Sequence, residues 1–386
     1  MIIICEPQCV GFEHSEFNAA LITVTKYAFP NEKIMFMAEK DHLSLVKETL
    51  DSNSVNVEYM EIKAPPRNLI APILFPFELI LIKKVFAITR NLNCDRIIFC
   101  SIRRPSLVSV KLMIRIYNDI KCVIVLHNIV EAVTKKPYEL TEIPFWLRFW
   151  IKFRNISRLR YIALSPSIEI ELIKRLPSLK NYVISIDFPY FFQSNTKKEF
   201  LKTNSKTDAI KFGFFGVANV RKGAENFFKL AKEIKNEKTR YTPEFILIGP
   251  VEDKKLMNIT ENVFIPSPDK PLSGRDFEKY AEDLDYALIF HKPEQHQLTA
   301  TASFFDAISY LKPVIAVKNP FVEYYFNEMG NIGYLCDDYS QIKNLILKIL
   351  NEDQTENYNN QRKKMLDQRE RLSFEIIGQK LAKNWE

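Results

Sequence analysis

Short apolar runs alternate with longer stretches of helical period along nearly the whole chain. The first series is IIIC at 2–5, KIMFMA at 33–38, VNVEYMEI at 55–62, DRIIFCS at 95–101, CVIVLH at 122–127, YIALS at 161–165 and YVISID at 182–187. These runs are almost continuous in Ile, Val and Phe, where a half-exposed sheet would alternate apolar with polar. They therefore predict parallel strands covered by helices on both faces. Residues 192–208, FQSNTKKEFLKTNSKTD, have no apolar face and read as a linker. Behind them the series restarts with IKFGFF at 210–215, EFILIG at 244–249, NVFI at 262–265, DYALIF at 285–290, PVIAV at 313–317 and GYLC at 333–336. Helical patterns run from Ile342 to the end. The pattern predicts an α/β protein of two tandem Rossmann-like doubly wound domains. The expected spans are 1–190 and 206–360, followed by a helical segment, 361–386, that packs back toward the first domain.

A length of 386 residues agrees with two domains. The opening MIIICEPQ has no basic region and breaks at Glu6 and Pro7, so it reads as a first strand and not as a signal peptide. The greasiest region, 68–86, is interrupted by Pro72, Pro76, Glu78 and Lys83, which argues against a membrane span. Six cysteines show no C-x-x-C pair and no metal-ligand spacing, as expected of buried thiols in a reducing cytoplasm. The formal charge of +7 has its excess in the N-terminal half.

The chain owns nine glycines and places three of them, Gly213, Gly216 and Gly223, within FGFFGVANVRKG at 212–223. Glycine is kept where the backbone needs a positive φ or where another group approaches closely. The cluster joins a predicted strand to a predicted helix, where unpaired N–H groups and the helix dipole favour an anion, and Arg221 and Lys222 add two cations. Its spacing matches neither G-x-G-x-x-G nor the Walker A pattern, and a tight turn with two solvated cations accounts for it equally well. A second joint, LTATASFFDAISYLKPVIAV at 298–317, places Thr299, Thr301 and Ser303 at a helix start and Asp306 one turn on. Such hydroxyls suit phosphate oxygens and the carboxylate suits a ribose diol, although a plain serine/threonine cap gives the same pattern.

With these joints the sequence resembles the GT-B glycosyltransferases, in particular the retaining family-four group of bacterial polysaccharide biosynthesis. The residues that carry the resemblance are the loop ending in Arg221, Lys222 and Gly223, the run FDAISYLKPVIA at 305–316, Leu284 to Ala287 before a strand, and Val125 to Asn128 after one. The resemblance implies a cleft between an acceptor-side N-terminal domain and a nucleotide-sugar-binding C-terminal domain. It implies transfer of a hexose-like sugar from a nucleotide sugar to a saccharide or lipid-linked saccharide in cell-envelope polysaccharide synthesis, with no metal or other cofactor. Lys222, Arg221 and His127 then take catalytic positions. Gly216, Asn219, Thr299, Thr301, Ser303 and Asp306 would bind the donor. Gly11, His14, Asn128, Arg103 and Arg104 would meet the acceptor. The chain departs from the family pattern where an acid would fall at Leu298, with Glu294 four residues too early, and where a glycine is replaced by Leu311. Glu13 and Glu16 are the alternative bases if configuration inverts. A nucleotide-sugar epimerase and a non-catalytic binding subunit on the same scaffold are the rival readings.

Residues 144–160, PFWLRFWIKFRNISRLR, interleave aromatics with five cations and no acid. The spacing predicts a basic amphipathic helix, with Trp146, Arg148, Trp150, Lys152 and Arg154 in contact with an anionic membrane surface. A core helix with a solvated basic face is the alternative. The expected location is cytoplasmic and peripheral on the inner face of the cytoplasmic membrane. No RNA-binding motif or zinc finger points to a nucleic-acid partner.

Overall fold

A computed structural model describes residues 1–127, 129–134, 140–193, 208–291 and 296–385. Most of the expected linker at 192–208 lies outside these residues. The chain divides into two compact units, the first comprising Met1–Phe191, Leu298–Ala300 and Leu372–Glu386, the second Phe192–Gln297 and Thr301–Arg371.

The first unit is built on seven strands: β1 (Ile2–Cys5), β2 (Ile34–Ala38), β3 (Glu58–Glu61), β4 (Arg96–Phe99), β5 (Lys121–Val125), β6 (Leu159–Ala163) and β7 (Val183–Ser185). They pair in parallel in the order β3-β2-β1-β4-β5-β6-β7. In the second unit β8 (Ala209–Phe215), β9 (Thr242–Ile248), β10 (Tyr286–Ile289), β11 (Val314–Val317) and β12 (Gly333–Cys336) pair in parallel in the order β12-β11-β10-β8-β9. Helices cover both sheets, so β1, β2, β10 and β11 are buried at every position. That double burial is the physical source of the continuous apolar runs. An aromatic cluster of Phe212, Phe227, Phe245 and Tyr286 fills the second core.

Two expectations differ from the structure. The run NVFI at 262–265 forms no strand; it makes a single bridge, Ile246 with Phe264, because Pro266 and Pro268 stop the ladder. Residues 144–160 do not form one helix. They comprise the end of a 3-10 turn (Leu140–Phe145), one helical turn (Leu147–Trp150), an irregular stretch and the start of β6. Tertiary hydrogen bonds override the helical period here. Buried Lys111, on helix Arg104–Ile116, donates to Phe153 O at 2.8 Å and Asn155 Oδ1 at 2.6 Å. Arg158 donates to Ile114 O, Tyr117 O and Ile120 O at 3.1–3.2 Å, satisfying carbonyls at and beyond that helix's C-terminus. Arg160 donates to Asn181 O. Two of the five cations are thus internal fasteners. Among the described residues no helix is long and apolar enough to cross a membrane.

The last helix, Phe374–Trp385, lies against helix Ser15–Ala28 in the first unit, with the Trp385 ring 5.6 Å from Phe29. The contact is close because Gly378 has no side chain: a Cβ there would stand 2.9 Å from Ala28 N and from Tyr27 Cβ. Gly378→Val should therefore destabilise the protein by about 1–3 kcal/mol through overpacking. Gly274→Ala, at a helical site with nothing within 4 Å, should raise stability by about 0.5–1 kcal/mol. Urea titration of both variants checks the pair, and equal effects would contradict the packing described.

Candidate active site

In the second sheet β8 and β10 are neighbours although β9 separates them in the chain. Such a switch point is where doubly wound sheets bind ligands, beyond the carboxyl ends of the strands. β8 ends at Phe215 and is followed by Gly216, whose φ of +82° is left-handed. A Cβ on Gly216 would stand 3.2 Å from Lys222 Nζ and 3.7 Å from Ser303 Oγ. The absent side chain is the room into which the lysine folds back. Gly223, at φ +72°, lets the turn Val220–Lys222 close on the end of β10, since its Cβ would meet Phe290 O at 2.2 Å. Gly213 is a packing glycine, and a Cβ there would overlap the Leu284 side chain. Asn219 shapes the turn: its Oδ1 accepts from Lys222 N at 2.9 Å and its Nδ2 donates to Glu252 at 2.8 Å.

Burial pulls the Lys222 pKa down, the nearby Asp306 carboxylate pulls it up, and Arg221 pushes it down again. Asp306 stands one turn into helix Ala302–Ser309, whose N-cap position is Thr301. Ser303 Oγ donates to Phe215 O at 2.8 Å and ties this helix start to the end of β8. Behind the cations the His291 and His296 rings stack 4.1 Å apart, within 10° of parallel. His296 Nε2–H donates to Arg221 O at 3.1 Å, and its Nδ1 is buried with no hydrogen-bond partner among the described residues. Burial, followed by repulsion from neighbouring cations and rings, holds His291 well below its ordinary range and His296 down to about 4. Two neutral imidazoles therefore back two cations.

The first sheet has its own switch point between β1 and β4. Glu6, directly after β1, is buried, and its carboxylate accepts from Ser101 Oγ at 2.8 Å, from the backbone N–H of Gln8 and Cys9 at 3.0 and 3.1 Å, and from Asn18 Nδ2 at 3.4 Å. Asn18 Nδ2 also donates to His42 Nε2 at 2.8 Å, and His42 Nδ1–H donates to Gly11 O at 2.8 Å. These bonds fix the loop in which Gly11 and His14 both have φ +54°. The His14 ring lies 4.3 Å from His127, which also touches Phe17 at 4.4 Å. Burial, and secondarily His14, push the His127 pKa well below its ordinary value, and its Nδ1 has no partner among the described residues.

Of the other expected site residues, Arg103 donates to Pro66 O at 3.3 Å and Glu78 at 3.5 Å, and Arg104 to Glu142 at 2.6 Å, so both guanidinium groups are matched within their own unit. Glu13 is held by Arg67 at 2.5 and 2.8 Å, which lowers its pKa, while burial raises that of Glu16. Thr299 is grouped with the first unit, where its hydroxyl donates to Glu131 Oε1 at 3.1 Å and the Leu298 N–H donates to the same oxygen at 2.7 Å. Asn128 and Glu294 lie outside the described residues. Trp150 Nε1 donates to Pro144 O at 2.5 Å. Arg148 is half-exposed on the turn Leu147–Trp150, where Trp146 holds the N-cap position, and Lys152 and Arg154 are exposed beyond it.

Sequence reasoning passed over Glu6, Asn18, His42 and Glu131. An acid directly behind a wholly apolar run was a signal for Glu6. His42 sits at a core position of a helix, and nothing local marks Glu131. Among the described residues no group of three or more His, Cys, Asp or Glu side chains is placed to hold a metal ion. Asp283 and Asp285, spaced D-x-D before β10, serve β8: Asp285 accepts from Lys211 N at 2.8 Å and Asp283 pairs with Lys211 Nζ at 2.7 Å.

The histidine pair generates a pH dependence. His296 has a folded value of about 4 against an ordinary 6.5, so below about 6.5 the unfolded chain takes up a proton that the folded site refuses. This contribution to stability is present above pH 6.5 and is lost as pH falls toward 4. Denaturant titrations from pH 7.5 to 4.5 should show a shallower loss for His296→Gln than for the wild type. An unchanged slope would contradict burial of a neutral ring.

No protein-family model and no curated protein sequence matches the chain. Solved structures do. The Anabaena protein HepE, in complex with UDP and glucose, is similar with a TM-score of 0.66 at 16% identity, over 99% of this chain and 98% of that one. WaaG, described as a glycosyltransferase involved in lipopolysaccharide biosynthesis, is similar with a TM-score of 0.65 at 11% identity, over 99% and 98%. A glycosyltransferase from Rickettsia africae gives 0.62 at 13% identity, over 100% and 97%. Likeness at this level of identity establishes the fold: the chain has the two-domain GT-B glycosyltransferase fold.

Proposed function

We propose that the protein transfers a sugar from a nucleotide sugar, with UDP as the nucleotide, to a saccharide acceptor carried on lipid in cell-envelope polysaccharide assembly. The observation that carries the reading is the Lys222 ammonium folded against Gly216 at the switch point of the second sheet, with Arg221 beside it and neutral histidines behind. In the reaction the bond from the anomeric carbon to the diphosphate oxygen breaks and a bond to the acceptor oxygen forms. Negative charge grows on the leaving diphosphate. Lys222 in its partly desolvated place, with the exposed Arg221 beside it, stabilises that charge, and preorganised charge of this kind is often the main source of an enzyme's rate enhancement. With configuration retained, the acceptor proton passes to the departing phosphate oxygen, so no protein base is required. Glu13, matched by Arg67, suits a base poorly.

The similar proteins support the donor class, since one is described with UDP and glucose and another with lipopolysaccharide synthesis. Glu131 adds a carboxylate at Leu298 and Thr299, beside the position where the resemblance places an acid that this chain lacks. Metal independence follows from the proposed role of the cations, and a chelator should leave turnover intact.

Lys222→Ala should lower turnover about 100- to 1000-fold while shifting the melting temperature little, because a half-buried loop cation contributes modestly to folding. Release of UDP from UDP-glucose and related donors, with a saccharide acceptor, is the assay. Full turnover in the folded variant would remove Lys222 from the reaction.

A further inference from the structure

Helix Ala71–Asn91 is apolar around most of its circumference. One side, with Leu74, Leu81, Ile82, Val85 and Phe86, is buried, and the helix packs against Arg104–Ile116. The other side carries Ile73, Phe77 and Ile80, exposed by 53, 48 and 68% and spaced to share one helical face. Single exposed apolar residues are ordinary, but an aligned stripe is not. A helix hydrophobic all round belongs either in a core or against lipid. The turn Leu140–Phe145 lies on the same helix through a Phe75–Phe145 ring contact of 5.4 Å, and it adds Leu140 and Ile143, exposed by 84 and 54%.

Among the described residues the unmatched charges near this surface have one sign. Lys83 and Lys84 are exposed on the turn that follows the stripe, and Lys152 and Arg154 are exposed beyond the turn Leu147–Trp150, which packs on Arg104–Ile116. Among the described residues the acids of the region are turned inward or matched. Glu78, the helix's one acid, is buried and accepts from Ser106 at 2.6 Å and Arg103 at 3.5 Å, and Glu142 accepts from Arg104 at 2.6 Å. An apolar centre with a cationic border disfavours a second copy of the same face, since like charges would meet. It complements an apolar layer topped by anionic headgroups.

We infer that this face of the first unit docks on an anionic lipid surface. Ile73, Phe77 and Ile80 enter the boundary between headgroups and acyl chains, and Lys83, Lys84, Lys152 and Arg154 meet lipid phosphates. The contact expected at residues 144–160 thereby moves to helix Ala71–Asn91, with the later segment as its basic margin. The inference takes its purpose from the proposed lipid-linked acceptor, but docking itself does not depend on which sugar is moved.

Flotation of the full-length protein with phosphatidylglycerol-containing and with pure phosphatidylcholine vesicles, at low and high salt, tests it. The wild type should float with the anionic vesicles, less at high salt, and not with the zwitterionic ones. Ile73→Ser/Phe77→Ser/Ile80→Ser should weaken the vesicle partition at least about tenfold. Lys83→Gln/Lys84→Gln should weaken it severalfold and flatten the salt dependence. The serine changes lie at exposed positions, so the melting temperature should hold; if it falls, single Ile80→Ser decides. Absence of flotation at low salt, or flotation of the serine variant equal to wild type, overturns the inference. A wild-type dimer that the serine variant converts to monomer overturns it in favour of self-association. Turnover on a soluble saccharide, measured on the same samples, separates the two readings: its retention in a non-floating variant supports docking, while its absence from a floating wild type counts against the proposed reaction alone.

Discussion

Backbone passing against backbone at bare glycines is the constraint around which the second unit is arranged, and it sets a lysine ammonium against Gly216. Lys222 Nζ folds to within 3.2 Å of where a Cβ on residue 216 would stand, and residue 216 sits there only if Gly249 lets the backbone pass, since a Cβ on Gly249 would meet Gly216 O at 2.3 Å. The turn that carries the lysine closes only because Gly223 is bare against Phe290 O. Three close approaches thus bring the ends of β8, β9 and β10 together and aim a cation past them. A chain with nine glycines in all has placed several where backbone meets backbone. The stacked histidines complete the arrangement by occupying space behind the cations without adding charge.

The first unit meets a comparable demand with a buried carboxylate. Glu6 collects donors from the loop behind it, from Asn18 and, through Ser101, from the segment following β4. A buried carboxylate is costly unless its oxygens are satisfied, and here the satisfied state requires the loop to hold one shape. The His42 relay to Gly11 O extends that constraint to the segment carrying His14. Each sheet's switch point is therefore held by a polar device behind an apolar strand.

The two parallel sheets were legible because strands buried on both faces leave unbroken apolar runs, and every such run except 262–265 became a strand. That exception shows that proline after a short run outweighs its apolar content. The segment 144–160 shows a second limit: periodicity is local, whereas Lys111 and Arg158 bind it through carbonyls about 40 residues away in the chain. The glycine cluster announced a crowded strand-to-helix joint, yet which group crowds each glycine is a tertiary matter. The same holds for Glu131, whose partners lie 167 and 168 residues away, and for Glu6 and His42. Leu311 is instructive in another way. It stands where the resemblance places a glycine, and its φ of +52° is still left-handed, so the backbone keeps the conformation at a cost of about 1–2 kcal/mol.

If the Gly216 and Lys222 contact is what gives the second unit its affinity for a diphosphate, filling the space should remove that affinity without unfolding the sheet. Calorimetric titration of UDP into the wild type and into Gly216→Ala measures this directly. The account predicts binding by the wild type and a loss of at least about tenfold in the variant, with circular dichroism unchanged, because the new methyl displaces Nζ and strains a left-handed backbone. Equal affinity in the two proteins would contradict it.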